Sequence, residues 1–225
     1  MLWCIYDKQY LDMTEILIAD DHGIVRLGTS IVVKEALPLA KVTQAENFDE
    51  MIALLSEQQY DLLLLDINMP GGNNIKMVEK ILMKQPTIKI LVFSSYDESL
   101  YALRYLQAGA AGYLNKNTSK SDLKDAILAV IQRGKYMSPE VRDMYYNTLT
   151  MGKSVMKADN PLNKLSNREV DVAKYLVQGM GIMEVSKALN LSTSTVSTYK
   201  TRIFEKLQVD NIAELIEKFR LHSGV

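Results

Sequence analysis

The sequence predicts an α/β domain, with helices on both faces of a parallel sheet, followed by a small all-helical module. Three observations predict it. Five short apolar runs, at 16–19, 40–45, 62–66, 88–93 and 111–114, alternate with amphipathic stretches between Glu15 and about Arg133. Short β runs alternating with helical patterns are βαβ units, which build parallel sheets with right-handed crossovers. The strand signal then stops after Gly134, and from Leu165 onward four segments carry helical periodicity alone.

The elements follow in order. The first strand is Ile16-Leu17-Ile18-Ala19, closed by Asp20 and Asp21. Phe48, Met51, Ile52 and Leu55 have helical spacing, as do Ile75, Val78 and Leu82. The run Leu62 to Leu65 ends on Asp66, and Ile88 to Phe93 ends on Ser94. Lys116 follows the run 111–114. Leu123, Ala126, Ile127, Val130 and Ile131 complete the last helix of the domain. Residues 135–161 carry scattered Tyr and Met, then Gly152, Lys153, Ser154 and Pro161, and read as a partly helical joint ending in a flexible linker. The expected domains are therefore 13–134 and 162–225, joined by 135–161.

Composition narrows the function. The 225 residues suit one large or two small domains, and 48% hydrophobic with 24% charged residues suffices for ordinary cores. A net charge of −1 gives no global pull toward nucleic acid or membrane, although two domains of opposite local charge would average out. Cys4 is the single cysteine, so neither an internal disulfide nor a cysteine-based zinc site is expected. With only His22 and His222, neither is a histidine metal cluster. No apolar run approaches the roughly 18 residues of a membrane span, and the first 12 residues lack a signal-peptide pattern. The expected location is cytoplasmic, without membrane attachment.

In open parallel sheets, ligands bind at the carboxyl ends of the strands. Asp20, Asp21, Asp66, Ser94 and Lys116 all follow or end strand runs. Each alone has an ordinary reading as a turn former, a helix cap or a solvated charge. Together they can form one site. Clustered carboxylates repel unless a cation intervenes, and Mg²⁺ is the natural one for oxygen ligands. The backbone carbonyl of Asn68 is placed to add a further oxygen. Lys116 supplies a positive charge and Ser94 a hydroxyl donor. A nucleophile, a metal site, a cation and a donor suffice for phosphoryl transfer, which needs positioning and charge neutralisation.

The segments LIADD, LLLLDINMPGG, LVFSS and GAAGYLNK, in this order, resemble the receiver domain of bacterial response regulators. The resemblance implies a flavodoxin-like doubly wound (βα)5 fold with strand order 2-1-3-4-5. It implies that Asp66 accepts a phosphoryl group from a sensor histidine kinase. It implies Mg²⁺ at Asp21, Asp66 and the Asn68 carbonyl, with Asp20 acting through water. Ser94 would move toward the phosphate, and Tyr113 would change rotamer in response. The family often has Gly where this chain has Asn74, and Asn tolerates the same left-handed backbone.

The helical module opens with a capping box, Ser166 and Glu169. Its first helix is expected to bury Val170, Ala173, Leu176 and Val177 and to stop at Gly179. A second helix spans about 182–189, and Ser192 caps a third. That third helix turns Val196, Ile203 and Leu207 inward, and its other face carries Thr195, Ser197, Thr198, Lys200, Thr201 and Arg202. The last helix repeats Ile212, Leu215, Ile216 and Phe219. Two helices joined by a short turn, the second rich in Ser, Thr, Lys and Arg, read as a helix-turn-helix. A four-helix scaffold with a solvated polar face reads equally well from spacing alone.

LSNREVDVAKYLVQGM and EVSKALNLSTSTVSTYKTRIFEKLQV resemble the LuxR-type DNA-binding module, and the whole chain resembles the NarL/FixJ family. By position, Ser197, Thr198 and Thr201 would face bases, with Thr195, Lys200 and Arg202 on phosphates. The family often has Lys at the Ser197 position. The resemblance implies a DNA-binding response regulator that dimerises on phosphorylation and binds paired half-sites in double-stranded DNA. Only slow self-dephosphorylation is expected, because the phosphatase pattern puts a second acid two residues beyond the nucleophile, where Asn68 stands. The rival readings are such a phosphatase, a regulator acting through protein contacts, and a small-molecule quorum receptor.

Overall fold

A computed structural model describes residues 14–72, 75–150 and 161–222. The chain divides into two compact units, with the boundary between Asp143 and Met144. The Asn74 turn and the expected start at residue 13 lie outside the described residues.

The first unit is built on five strands: β1 (Glu15–Ala19), β2 (Lys41–Ala45), β3 (Leu62–Leu65), β4 (Lys89–Ser94) and β5 (Gly112–Asn115). All neighbours pair in parallel, in the order β2-β1-β3-β4-β5. The helices between and after them are α1 (Gly23–Ala36), α2 (Phe48–Glu57), α3 (Lys76–Lys84), α4 (Glu98–Gln107) and α5 (Lys120–Arg133). Ile16, Ile18, Leu62, Leu64, Leu91 and Phe93 share one apolar cluster with Val32 and Val33 of α1 and Leu123, Ile127 and Val130 of α5. The alternate residues Leu17, Leu63, Leu65, Ile90 and Val92 are buried as well. A sheet covered on both faces needs apolar side chains at every position, hence the unbroken Leu run of β3.

The loop after β3 is anchored by its glycines. Gly71 has φ +82°, and a Cβ on Gly72 would come within 2.8 Å of the Phe48 ring and 2.7 Å of Met77 Cε. The Phe48 amide also donates to the Pro70 carbonyl at 3.0 Å. The loop carrying Asn68 thus lies against the start of α2.

The segment assigned by sequence to the joint opens inside the first unit. The Tyr136 amide donates to the Ala111 carbonyl at 2.9 Å, and Val141 is buried. A further helix, α6 (Pro139–Thr150), starts here. Glu98 of α4 holds its first turn: one carboxylate oxygen accepts the Asn115 amide at 2.9 Å, and the other accepts the Ser138 hydroxyl at 2.7 Å. Ser138 Oγ in turn accepts the Val141 amide at 3.3 Å. These partners lie 17 and 40 residues from Glu98, so linear periodicity carries no trace of them. Glu98→Ala is expected to speed amide exchange at Val141 and Arg142 about tenfold, the value of one charge-assisted hydrogen bond. Hydrogen-exchange mass spectrometry of the full chain checks this. The rest of the expected joint, 151–160, lies outside the described residues.

Beyond α6, the second unit contains a short 3-10 turn, Pro161–Lys164, followed by α7 (Asn167–Val177), α8 (Ile182–Leu189), α9 (Thr193–Leu207) and α10 (Ile212–His222). Val170, Ala173, Leu176, Val185, Val196, Ile203, Leu207, Leu215 and Phe219 are buried. Val172, not Val177, completes the buried face of α7; Val177 is half-buried at the last turn, where the helix leaves the core. Ile216 faces outward, 38% exposed. Asn190 takes the left-handed conformation (φ 52°) and turns the chain between α8 and α9. Ser192 caps α9 by accepting the Thr195 amide at 3.1 Å.

The expected capping box forms. Ser166 Oγ accepts the Glu169 amide at 3.3 Å, and Glu169 Oε2 accepts the Ser166 amide at 2.7 Å. Glu169 is 2% exposed. Lys206 near the end of α9 donates to both of its oxygens, at 2.8 and 2.6 Å. The start of α7 is thereby tied to the end of α9. Among the described residues no helix is long and apolar enough to cross a membrane.

Candidate functional site

The acidic site forms where β1, β3, β4 and β5 end. Ala19 pairs with Leu65, so Asp20 and Asp66 leave adjacent strand ends. The Asp66 amide donates to the Ala19 carbonyl at 2.8 Å, and the Lys116 amide to the Ser94 carbonyl at 2.8 Å. Backbone pairing thus continues one residue past each strand and aims these side chains at one spot.

Lys116 Nζ lies 2.6 Å from Asp20 Oδ2 and 2.6 Å from Asp66 Oδ2. Both carboxylates are buried, at 2% and 4% exposure. Asp21 is exposed and pairs with His22, whose Nδ1 lies 2.8 Å from Asp21 Oδ1 and 3.2 Å from Asp20 Oδ1. Burial pushes the Asp66 carboxyl above its ordinary value, outweighing the pull of Lys116 and of the Asn68 amide. Burial lowers the Lys116 ammonium, but Asp66 and Asp20 outweigh it and leave it raised. The two directions agree physically: one ammonium is shared by two carboxylates, so the lysine has partners to spare and Asp66 does not.

The set fits a hard divalent cation. Asp20, Asp21, His22 and Asp66 each offer an atom within 4.8 Å of the others. Two buried carboxylates against one ammonium leave an excess of negative charge. The acidic cluster is therefore compatible with Mg²⁺.

Asn68 donates its amide to Asp66 Oδ1 at 3.0 Å, and its side-chain oxygen accepts the Tyr96 hydroxyl at 3.1 Å. Ser94 is fully buried. Its Oγ accepts the Tyr96 amide at 3.3 Å. Tyr113 is also buried and donates to the Tyr96 carbonyl at 3.1 Å. Burial, then neighbouring Tyr105, pushes its hydroxyl well above the ordinary tyrosine value. Ser94 and Tyr113 therefore form one cluster, reached from Asp66 through Asn68 and Tyr96.

Three residues of this region escaped sequence reasoning. His22 follows the acid pair directly. Tyr96 sits two residues beyond Ser94 and stacks on Tyr101 with centroids 4.7 Å apart. Arg26 is buried, donates to the Asp20 carbonyl at 2.7 Å and to Gln44 Oε1 at 3.3 Å, and pairs with Glu46. Only a lone arginine inside the apolar pattern of α1 could have signalled it.

In the second unit α9 carries the polar face. Thr198, Thr201 and Arg202 are exposed, while Thr195, Ser197 and Lys200 are half-buried. Thr195 Oγ1 lies 2.7 Å from Ser192 Oγ in the helix cap. Lys200 Nζ sits over the Phe204 ring, 5.4 Å from its centroid.

Residues 16–128 match the family described as "Response regulator receiver domain". Residues 163–219 match "Bacterial regulatory proteins, luxR family". The chain belongs to the NarL/FixJ family of response regulators. It is similar to the "Response regulator GacA" of Pseudomonas protegens, 34% identical over 203 residues, covering 90% of this chain and 93% of that protein. It is similar to the "Fimbriae Z protein" of Escherichia coli, 32% identical over 211 residues, covering 93% and 97%. Among solved structures it resembles the "two-component response regulator RcsB-DNA complex", with 26% identity, TM-score 0.55 and coverage of 93% and 98%. This response regulator places its acidic pocket and its helix-turn-helix in separate units.

Proposed function

We propose that this response regulator is a DNA-binding transcription factor switched by phosphorylation of Asp66. The observation that carries the proposal is the buried pair Asp20 and Asp66 sharing the Lys116 ammonium at 2.6 Å at the carboxyl edge of a parallel sheet. An Asp66 oxygen attacks the phosphorus of a phosphohistidine on a sensor kinase. The P–N bond breaks, and its electron pair returns to the imidazole. Lys116 holds one phosphoryl oxygen and Ser94 another. Mg²⁺, held by Asp20, Asp21, Asp66 and the Asn68 carbonyl, would supply charge neutralisation for the incoming phosphoryl group.

The added charge draws Ser94 Oγ away from the Tyr96 amide, and Tyr113, which is bonded to the Tyr96 carbonyl, repacks. The altered surface favours a homodimer, and two linked helix-turn-helix modules then grip paired half-sites in double-stranded DNA. The relative solved with DNA supports this output. Asn68 leaves the position two residues past the nucleophile without an acid, so turnover is limited to slow self-dephosphorylation rather than phosphatase activity.

Intact mass after incubation with a small phosphodonor and Mg²⁺ tests the first step. One added phosphoryl group on the parent and none on Asp66→Asn is the expected result. No addition to the parent, even with a kinase present, would sink the proposal.

A further inference from the structure

The outward face of α9 is more apolar than its sequence suggests. Thr198 Oγ1 donates to the Ser194 carbonyl at 3.0 Å, and Thr201 Oγ1 donates to the Ser197 carbonyl at 3.2 Å. Both residues are exposed, and three positions apart they lie on one face of the helix. With each hydroxyl proton donated to the helix's own backbone, no donor is left to offer outward, only the methyl and an oxygen that can accept. Lys200 is drawn over Phe204 on the flank. The first turn of α9 contains no acid, so its free amides remain favourable to a phosphate.

We propose that Thr198 and Thr201 determine operator specificity by packing their methyl groups on thymine methyls in the major groove. The inference rests on the DNA-binding reading above. The thymine C5 methyl is the apolar group that the major groove displays. Two side chains three residues apart are separated by about 4.5 Å along the helix axis. That separation is close to the roughly 3.4 Å rise between base pairs. The pair therefore suits thymines on two neighbouring base pairs. The expected operator half-site contains such a step, and the flanking charges grip phosphates without reading sequence.

The test uses the full chain treated with phosphodonor and Mg²⁺, and a randomised duplex library. The enriched duplex is resynthesised with uracil in place of each thymine, which removes a methyl and leaves every hydrogen-bonding group. Two uracil positions are expected to weaken binding about fourfold each, the value of one buried methyl. Thr198→Val keeps the methyl and loses the hydroxyl; it should bind like the parent and keep both uracil effects. Thr198→Ser keeps the hydroxyl and loses the methyl; it should bind about fourfold more weakly and lose one uracil effect. The Thr201 pair should behave likewise at the other position. Enrichment without any uracil effect, or Val variants as weak as Ser variants, would overturn the methyl reading while leaving DNA binding intact. Failure to enrich any duplex would overturn both.

Discussion

Lys116→Ala should lower the stability of the first unit and abolish phosphoryl acceptance. The lysine is the ammonium within reach of two buried carboxylates, 2.6 Å from each. Removing it leaves Asp20 and Asp66 facing each other across a desolvated pocket. Breaking a buried pair from one side costs about 3–5 kcal/mol, and the pocket's open edge places this case at the lower end. A drop on the order of 10 °C in melting temperature follows for a unit of this size.

The pH dependence gives the loss a signature. In the parent, burial holds the Asp66 carboxyl above its ordinary value. Between the unfolded and folded values the native state binds more protons, so this group's contribution to stability falls as pH rises through that window. Lys116 is also raised, by its aspartates; its contribution is fully present below its ordinary value of 10.5 and is lost as pH rises through the folded value. Without Lys116 the Asp66 value climbs further. The stability deficit of the variant should therefore shrink on acidification from about pH 7.5 to about pH 5. Added Mg²⁺ should also offset it at the higher pH. Thermal melts at the two pH values, with Mg²⁺ and with a chelator, measure both effects. A deficit unchanged by acid and by metal would contradict the charge argument.

Glu169→Ala should be the most damaging single change in the second unit. This carboxylate closes the capping box at Ser166 and receives Lys206 from α9. Loss of the cap costs about 1 kcal/mol. Loss of charge-assisted bonds costs about 1.5–3 kcal/mol more. A unit of this size has little stability to spare. The variant should show two separated urea transitions, with the first unit unaffected and the second shifted to low urea. DNA binding should fall with it. Glu169→Gln keeps an oxygen for the Ser166 amide and should recover roughly the 1 kcal/mol of the cap. Equal losses for both variants would mean that the cap contributes nothing and the ion pair everything.

Much of the site was legible because its residues mark sharp breaks in local pattern. Asp20, Asp66, Ser94 and Lys116 each end or follow an apolar run, and parallel strands deliver their carboxyl ends to one edge. The caps of α7 and α9 were legible for the same reason, since Ser166 and Ser192 bond within three residues. Helix α1 was harder to place. Ile24, Leu27 and Ile31 are exposed on it, so its apolar residues do not mark a single face. His22, Arg26 and Tyr96 were not legible as parts of the site, nor was Glu98 as the anchor of α6. Arg26 reaches Gln44 and Glu46, and Glu98 reaches Ser138, across stretches that no periodicity spans.

By itself, then, the sequence determined the alternation of strands and helices, the acids at strand ends and the caps that start α7 and α9. These depend on interactions within a turn or along one strand. Tertiary structure alone decided that one ammonium is shared by two carboxylates, that Asn68 and Tyr96 stand between Asp66 and Tyr113, and that residues 135–143 belong to the first unit. The physical reason is separation along the chain. Lys116 and Asp66 are 50 residues apart, and only the assembled sheet sets the distance between their terminal atoms.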